Sequence, residues 1–249
     1  MLRPLLLATV LVGATASAAL GDELKLVTPG ALLSSLKMIL PQFEKQSGHK
    51  VTVTLTPALA VAKRLESEAF DIAIMGQGLA REIEKQGKLL DVAIVARSGV
   101  GAFVRRGDPK PDISDVEAFV RALRNAKVII YSDPALGGSA SNYVATLLAK
   151  LDTTGEIKPK IKLAVEYRSI ANIVAAGGVD IALNQVTEIM ADPRLELIAP
   201  LPAPIQRYTN YAAGVVATSA HAKPAGELIQ FLGSPAAVAI MRSNGFEPK

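Results

Sequence analysis

Three short β-type runs alternate with three stretches of helical periodicity over residues 24–86, and this alternation constrains the chain more than any other feature. Leu24 to Thr28 is a strand broken by Pro29-Gly30, and from Ala31 to Gln46 the apolar Leu32, Leu33, Leu36, Ile39, Leu40 and Phe43 recur at helical spacing. Ser47-Gly48-His49 ends that helix. Val51 to Thr56 is a β-branched strand stopped by Pro57, Ala60 to Glu68 a helix, Asp71 to Met75 a third strand, and Leu79 to Gln86 a third helix. An order of β-α-β-α-β-α predicts a mostly parallel sheet with helices on both faces.

Leu89 to Val104 breaks the alternation. Two extended runs, Val92 to Ala96 and Val100 to Val104, are interrupted by Arg97-Ser98-Gly99, the pattern expected of a long strand that passes from one lobe into the next. A turn-rich bridge follows at Gly107 to Pro111, and Ser114 with Glu117 reads as a capping box for a helix through Leu123. Further strands are expected at Val128 to Tyr131, Ile161 to Val165 and Val179 to Leu183, with helices at Ser141 to Leu151 and Ile170 to Ala176. Pro200, Pro202 and Pro204 mark a second crossing, before a strand at Tyr208 to Thr218 and helices at Pro224 to Leu232 and Pro235 to Asn244. The expected division is therefore 20–98 with 205–249 as the first lobe and 99–204 as a second lobe inserted into it: an α/β protein of two α/β lobes joined by a two-crossing hinge.

The ends set the compartment. Arg3, the apolar stretch Leu5 to Thr15 and the small-x-small Ala16-Ser17-Ala18 read as a secretory signal over residues 1–19, directing the mature chain to the periplasm. The sequence carries 27 basic and 23 acidic residues, and loss of Arg3 leaves a formal charge of +3 on the mature chain. Its Lys and Arg are scattered with little aromatic interleaving, so no nucleic-acid partner is expected. With no Cys there is no disulfide, thiolate metal site or Cys nucleophile. No cofactor or metal is expected, and a monomer is the default.

Four stretches resemble the molybdate-binding-protein-like branch of periplasmic ABC-transporter receptors. They are the strand, small-residue loop and helix of Leu26 to Leu36 leading into Pro41-Gln42-Phe43-Glu44-Lys45-Gln46-Ser47-Gly48; Ala96-Arg97-Ser98-Gly99-Val100-Gly101 ahead of Arg105 to Ile113; Tyr131-Ser132-Asp133-Pro134-Ala135-Leu136-Gly137-Gly138-Ser139-Ala140; and Leu228 to Pro235 with Gly245-Phe246-Glu247-Pro248. The resemblance covers the whole mature chain. It implies a type II periplasmic-binding fold that clamps a small anion such as molybdate or tungstate at the hinge and delivers it to an inner-membrane ABC permease. It also implies which loops face the ligand. Thr28-Pro29-Gly30-Ala31 and Thr56-Pro57-Ala58 stand where molybdate receptors present serines, and Gln185 stands where they present a tyrosine.

An anion leaving water needs donors already aimed at it, and helix N-termini supply them. Three small-residue openings precede helices: Gly30-Ala31, Pro57-Ala58, and Gly137-Gly138-Ser139-Ala140-Ser141. The hydroxyls of Thr28, Thr56, Ser139 and Ser141 add side-chain donors. Any one such loop taken alone reads more readily as an ordinary turn or cap. Arg97, at the crossing, either forks onto a ligand carboxylate or forms a hinge salt bridge. If it binds ligand, a di- or tricarboxylate replaces the metal oxyanion as the expected solute, and Arg97→Ala abolishes binding. Ser169, Asn184 and Gln185 are candidate contacts from the second lobe, and Tyr143 and Tyr167 lie within reach of the cleft.

A catalytic reading finds no general base. His49 and His221 are expected to be exposed, and no nucleophile elbow, Walker loop or GxGxxG follows a strand. Asp71, Asp180 and Glu188 lie near strand ends without a pattern that pairs them.

Overall fold

Alternation along the first strands divides their side chains between two cores. A computed structural model describes residues 21–166 and 168–247, so the signal segment, Tyr167 and Pro248 lie outside the described residues. In β1 (Glu23–Thr28) and β3 (Ile72–Gly76), Leu24, Leu26, Ile72 and Ile74 face one side while Val27, Ala73 and Met75 face the other. The first side is covered by α1 (Leu33–Ser47), α8 (Ala222–Leu232) and α9 (Pro235–Ser243), and the second by α2 (Ala58–Ser67) and α3 (Gln77–Lys85). Helix α1 buries Leu36, Ile39, Leu40 and Phe43 on one stripe and ends at Gly48 in the left-handed conformation, φ +79°.

The same arrangement recurs in the other half of the molecule. Ile129 and Tyr131 of β5 (Ile129–Ser132) and Ile181 and Leu183 of β7 (Ile181–Gln185) pack under α4 (Val116–Asn125) and α5 (Ser139–Leu151). Ile130 and Ala182 turn the opposite way, toward α6 (Ile170–Ala176) and α7 (Val186–Met190). Each fully buried aliphatic side chain of these four cores contributes about 1.5–3 kcal/mol.

One strand joins the halves. β4 (Leu89–Arg105) runs 17 residues without a break and exchanges partners midway. From Leu89 to Gly99 it pairs antiparallel with β9 (Tyr208–Val216), and from Val100 onward with β7 and with β8 (Leu195–Pro200). With β2 (Lys50–Leu55) and β6 (Ile161–Ala164) at the edges, the strand order is β2-β1-β3-β9-β4-β7-β5-β6, and β8 lies on β4 off that path. β1 pairs in parallel with β2 and β3, and β5 with β6 and β7, as the alternating order predicts.

The long strand expected over this stretch is present as β4. Two details are corrected. Arg97-Ser98-Gly99 stays paired with Asn210, Thr209 and Tyr208, and the irregularities fall earlier, between Leu90 and Ala93 and between Ile94 and Ala96. Helix α4 is capped by Asp115, whose Oδ1 accepts from Ala118 N at 2.7 Å, and not by Ser114. Asp and Ser are comparable caps, and the start of the helix one residue later selects the Asp. Strand β8 and helix α7 have no counterpart among the elements expected from the sequence. Among the described residues no helix is long and apolar enough to cross a membrane.

Candidate functional site

The C-terminal ends of the parallel strands in both halves open onto one cavity of about 80 Å³. From the first half come Pro29, Gly30 and Ala31 after β1, Ala58 at the start of α2, and Gly76 at the end of β3. From the second come Ser132 after β5, Gly138 to Ser141 at the start of α5, Arg168, Asn184 and Gln185 at the end of β7, and Glu188 of α7. Ligands of open α/β sheets are bound in crevices of this kind, outside the carboxyl ends of strands.

The helices that begin here carry no side-chain caps. The residues preceding α2, α3 and α5 are Pro57, Gly76 and Gly138, and none accepts a hydrogen bond through a side chain. The short 3-10 turn Gly30–Leu32 that leads into α1 starts the same way after Pro29. At α4 and α9 the Asp115 and Ser234 side chains accept from the first turn, whereas α8, away from the cavity, also starts without a side-chain cap. The opening N–H groups of a helix have no intrahelical acceptor and together carry about half a positive charge. In α5 the Ser141 hydroxyl donates back to Gly138 O at 2.9 Å, so it does not cap the first-turn N–H groups.

Two charged side chains flank these dipoles. Arg168 lies on the cavity wall with φ +64°, a left-handed conformation that costs a non-glycine residue roughly 1–3 kcal/mol. Glu188 is partly buried, and Asn184 Nδ2 donates to its Oε2 at 2.5 Å. Burial pushes the Glu188 carboxyl above its ordinary range, against the opposing pull of Asn184 and the Arg168 charge. A second chamber of about 120 Å³ shares Gly30, Arg168, Asn184 and Glu188 with the first and continues past them to Phe103, Ile170 and Leu195.

The halves touch at this site. Gly137, with φ +75°, sits so close to Leu59 of α2 that an added Cβ would lie 2.1 Å from Leu59 Cγ. An added Cβ on Gly76 would lie 3.8 Å from Ser139 Oγ. Leu59 is 63% exposed even with this contact made.

Of the residues singled out from the sequence, Gly30, Ala31, Ala58, Gly138, Ser139, Ser141, Asn184 and Gln185 line the cavity together. Gly137 lies just outside it, on the outer groove that also holds Tyr143. Thr56 is buried, with its N–H donating to Thr28 O at 3.2 Å, and is not part of the lining. Ser169 also stands apart, its hydroxyl donating to Glu166 O at 2.8 Å. Arg97 does not reach the cavity: its guanidinium pairs with Glu247 at 3.1 Å and lies 4.3 Å from the centre of the Tyr208 ring. Its backbone bridges Glu247 as well, so the hinge salt bridge is the arrangement present. Gln185 lines the cavity yet also ties β7 to both crossings. In the amide orientation that satisfies each end, Oε1 accepts from Thr209 Oγ1 at 2.8 Å and Nε2 donates to Gly99 O at 3.0 Å.

The histidines are not the exposed residues their loops suggest. His49 Nδ1 accepts from Asp22 N–H at 2.9 Å beneath Phe43, and His221 Nδ1 lies 3.2 Å from Asp22 Oδ1, far in sequence but adjacent in space. Asp71 and Asp180 are structural: Asp71 accepts from Lys25 N and Ser219 Oγ, and Asp180 from Lys127 N and Val128 N. Arg168 and the role of Glu188 escaped the sequence. The signal for Glu188 was its place three residues past the strand end at Gln185; Arg168 lies next to Ser169 but its left-handed backbone has no sequence signature.

Comparisons with known proteins agree with this geometry. The sequence model of the bacterial extracellular solute-binding protein family matches residues 24–247. An aconitate isomerase from Pseudomonas sp is 26% identical over 233 residues, spanning 90% of this chain and 87% of the relative. The molybdate-binding protein ModA of Azotobacter vinelandii is 25% identical over 244 residues, 94% of this chain and 93% of its own. The substrate-binding domain of a molybdenum ABC transporter from Clostridium difficile superposes with a TM-score of 0.73 at 16% identity, covering 92% of this chain and all of that one.

Proposed function

The chain belongs to the bacterial extracellular solute-binding proteins, with the fold of their molybdate-binding type, and we propose that it captures a small organic polycarboxylate between its halves. The observation that supports this reading is that a full cation and several helix N-termini line one cavity. Arg168 supplies the cation, and the starts of α2 and α5 supply partial charges. An acid with carboxylates on separate carbons meets both; a tetrahedral oxyanion, with its charge at one point, meets one. The shared second chamber extends the space in the same sense. The aconitate isomerase relative is named for a tricarboxylate.

In this reading residues 20–98 with 205–249 form one lobe, residues 99–204 the other, and β4 with the segment before β9 the hinge. Ligand binds one lobe, closure brings donors from the second, and the closed shape is presented to an inner-membrane ABC permease by a monomeric periplasmic receptor. Ligand shifts the equilibrium only by its preference for the closed form.

A molybdate- or tungstate-like oxyanion is the second reading, favoured by the uncapped helix N-termini and by the ModA relative. A thermal-shift panel of molybdate, tungstate, sulfate, phosphate, citrate and trans-aconitate separates the two. A ligand at 100 times its dissociation constant raises stability by about 2.7 kcal/mol. Shifts with the organic acids are expected; a shift with molybdate and tungstate alone replaces the first reading by the second.

A further inference from the structure

After α9 the chain turns at Gly245, with φ +85°, and the few residues around that turn touch both halves of the molecule. The segment is fixed first to the half that contains β1. Phe246 is 4% exposed, belongs to the core beneath α1, and stands edge-on to Tyr211 of β9 with 6.1 Å between ring centres. Asn244 Nδ2 donates to Ile240 O at 2.8 Å and lies 3.6 Å from Met38 Sδ of α1. Glu247 N–H donates to Arg97 O at 2.9 Å, which pairs the segment with β4 just before that strand exchanges partners. This bond uses backbone atoms alone, so it survives the loss of the Arg97 side chain.

Between these anchors Gly245 rests on α7 of the other half. An added Cβ on Gly245 would lie 2.7 Å from Met190 Sδ, 3.0 Å from Val186 Cγ1 and 3.6 Å from Thr187 N. Val186 and Met190, four apart, share one side of the helix, while Gln185 and Glu188, three apart, share another about 150° round the axis. The second pair lines the cavity. Helix α7 therefore carries the ligand space on one side and the C-terminal segment on the other.

We propose that residues 244–247 form a strap that ties the two halves together and biases the clamp toward its closed form. The inference rests on the clamp reading above, though not on the identity of its ligand. In this structure the halves are in contact, Leu59 against Gly137. A rotation that carries α7 away from the first half strips it off Gly245, because Phe246 is held in its core and the segment cannot follow. A rotation in the other sense drives α7 into backbone that it already meets at contact distance. Either movement costs free energy that closure recovers, and an equilibrium between two forms shifts by the interactions that differ between them. Met190 is the side chain through which the strap grips the second half. It is 48% exposed with the contact made and belongs to none of the four cores, so its truncation leaves them intact. Met38, 51% exposed, meets the same segment from the first half.

The test compares Met190→Ala with Met38→Ala in the whole protein, by small-angle scattering without ligand and by titration calorimetry with citrate. Met190→Ala is expected to enlarge the ligand-free radius of gyration and to raise the citrate dissociation constant by roughly 3- to 10-fold, the worth of half-burying a methionine. Met38→Ala, which breaks no contact between the halves, is expected to match wild type in both measurements. Met190→Leu, which refills the contact, should restore the wild-type values. A Met190→Ala protein indistinguishable from wild type overturns the strap. Equal losses in Met190→Ala and Met38→Ala overturn it as well, because they report a general loosening. A wild type that gives no heat with citrate, while Met190→Ala alone scatters as the larger particle, removes the polycarboxylate reading and leaves the strap standing.

Discussion

Two arginines, read differently in sequence and structure, give the sharpest test of the site. Arg97 lies at the crossing, as its sequence position suggests, but its partner Glu247 is 150 residues away and invisible to any local reading. Arg168 had no motif to announce it and lies on the cavity wall. Arg168→Ala is expected to weaken ligand binding by about 10- to 100-fold, the loss of one charge-assisted hydrogen bond of roughly 1.5–3 kcal/mol. Arg97→Ala is expected to leave affinity within about 2-fold and to cost at most ~1 kcal/mol of stability, because the pair is only half-buried. Titration calorimetry with citrate checks the affinities, and denaturant melts check the stability. Glu188 illustrates what residue types alone conceal: three carboxylates near strand ends looked alike, and only burial and contacts separate Asp71 and Asp180, tied into backbone clasps, from the one that faces the ligand space.

At the scale of elements, periodicity located most strands and helices because each buries a regular stripe or face, as in α1 and β1. Strand β8 escaped because its pattern of partial burial, with only Leu195 fully enclosed, resembles a loop. Helix α7 escaped because five residues are too few to show a period. The loop into α5 was legible through its glycines, and Gly137 offers a test of closure. Gly137→Ala meets both a left-handed φ and Leu59 at 2.1 Å, so it is expected to reduce affinity by 10-fold or more with the circular dichroism spectrum unchanged. Adding Leu59→Ala removes Cγ and Cδ1 but leaves Cβ at 2.9 Å, so it should recover part of the steric loss, with the backbone cost of about 1–2 kcal/mol remaining. In β4, Phe103 is 1% exposed and packs in the core beneath α6 and α7. Phe103→Ala should lower stability by about 3–5 kcal/mol, read by denaturant unfolding.

For the whole molecule, the alternating order was enough to give the parallel character of each half, and the long extended run with the later prolines was enough to expect two passages of the chain. What stayed out of reach was where β4 exchanges partners, at Gly99 and Val100, because that depends on β7, β8 and β9, all more than 75 residues further along. The same long-range dependence has a consequence for how the molecule is made. The sheet of the first half closes only when β9 slots between β3 and β4, and Met75 waits for Ala212. At a synthesis rate of roughly 5–20 residues per second the two emerge on the order of 10 s apart. Through that interval the edges of β3 and the early part of β4 have no permanent neighbour. The nascent chain therefore stays open until it is nearly complete, a delay written into the strand order that keeps it threadable for as long as the ribosome is still working.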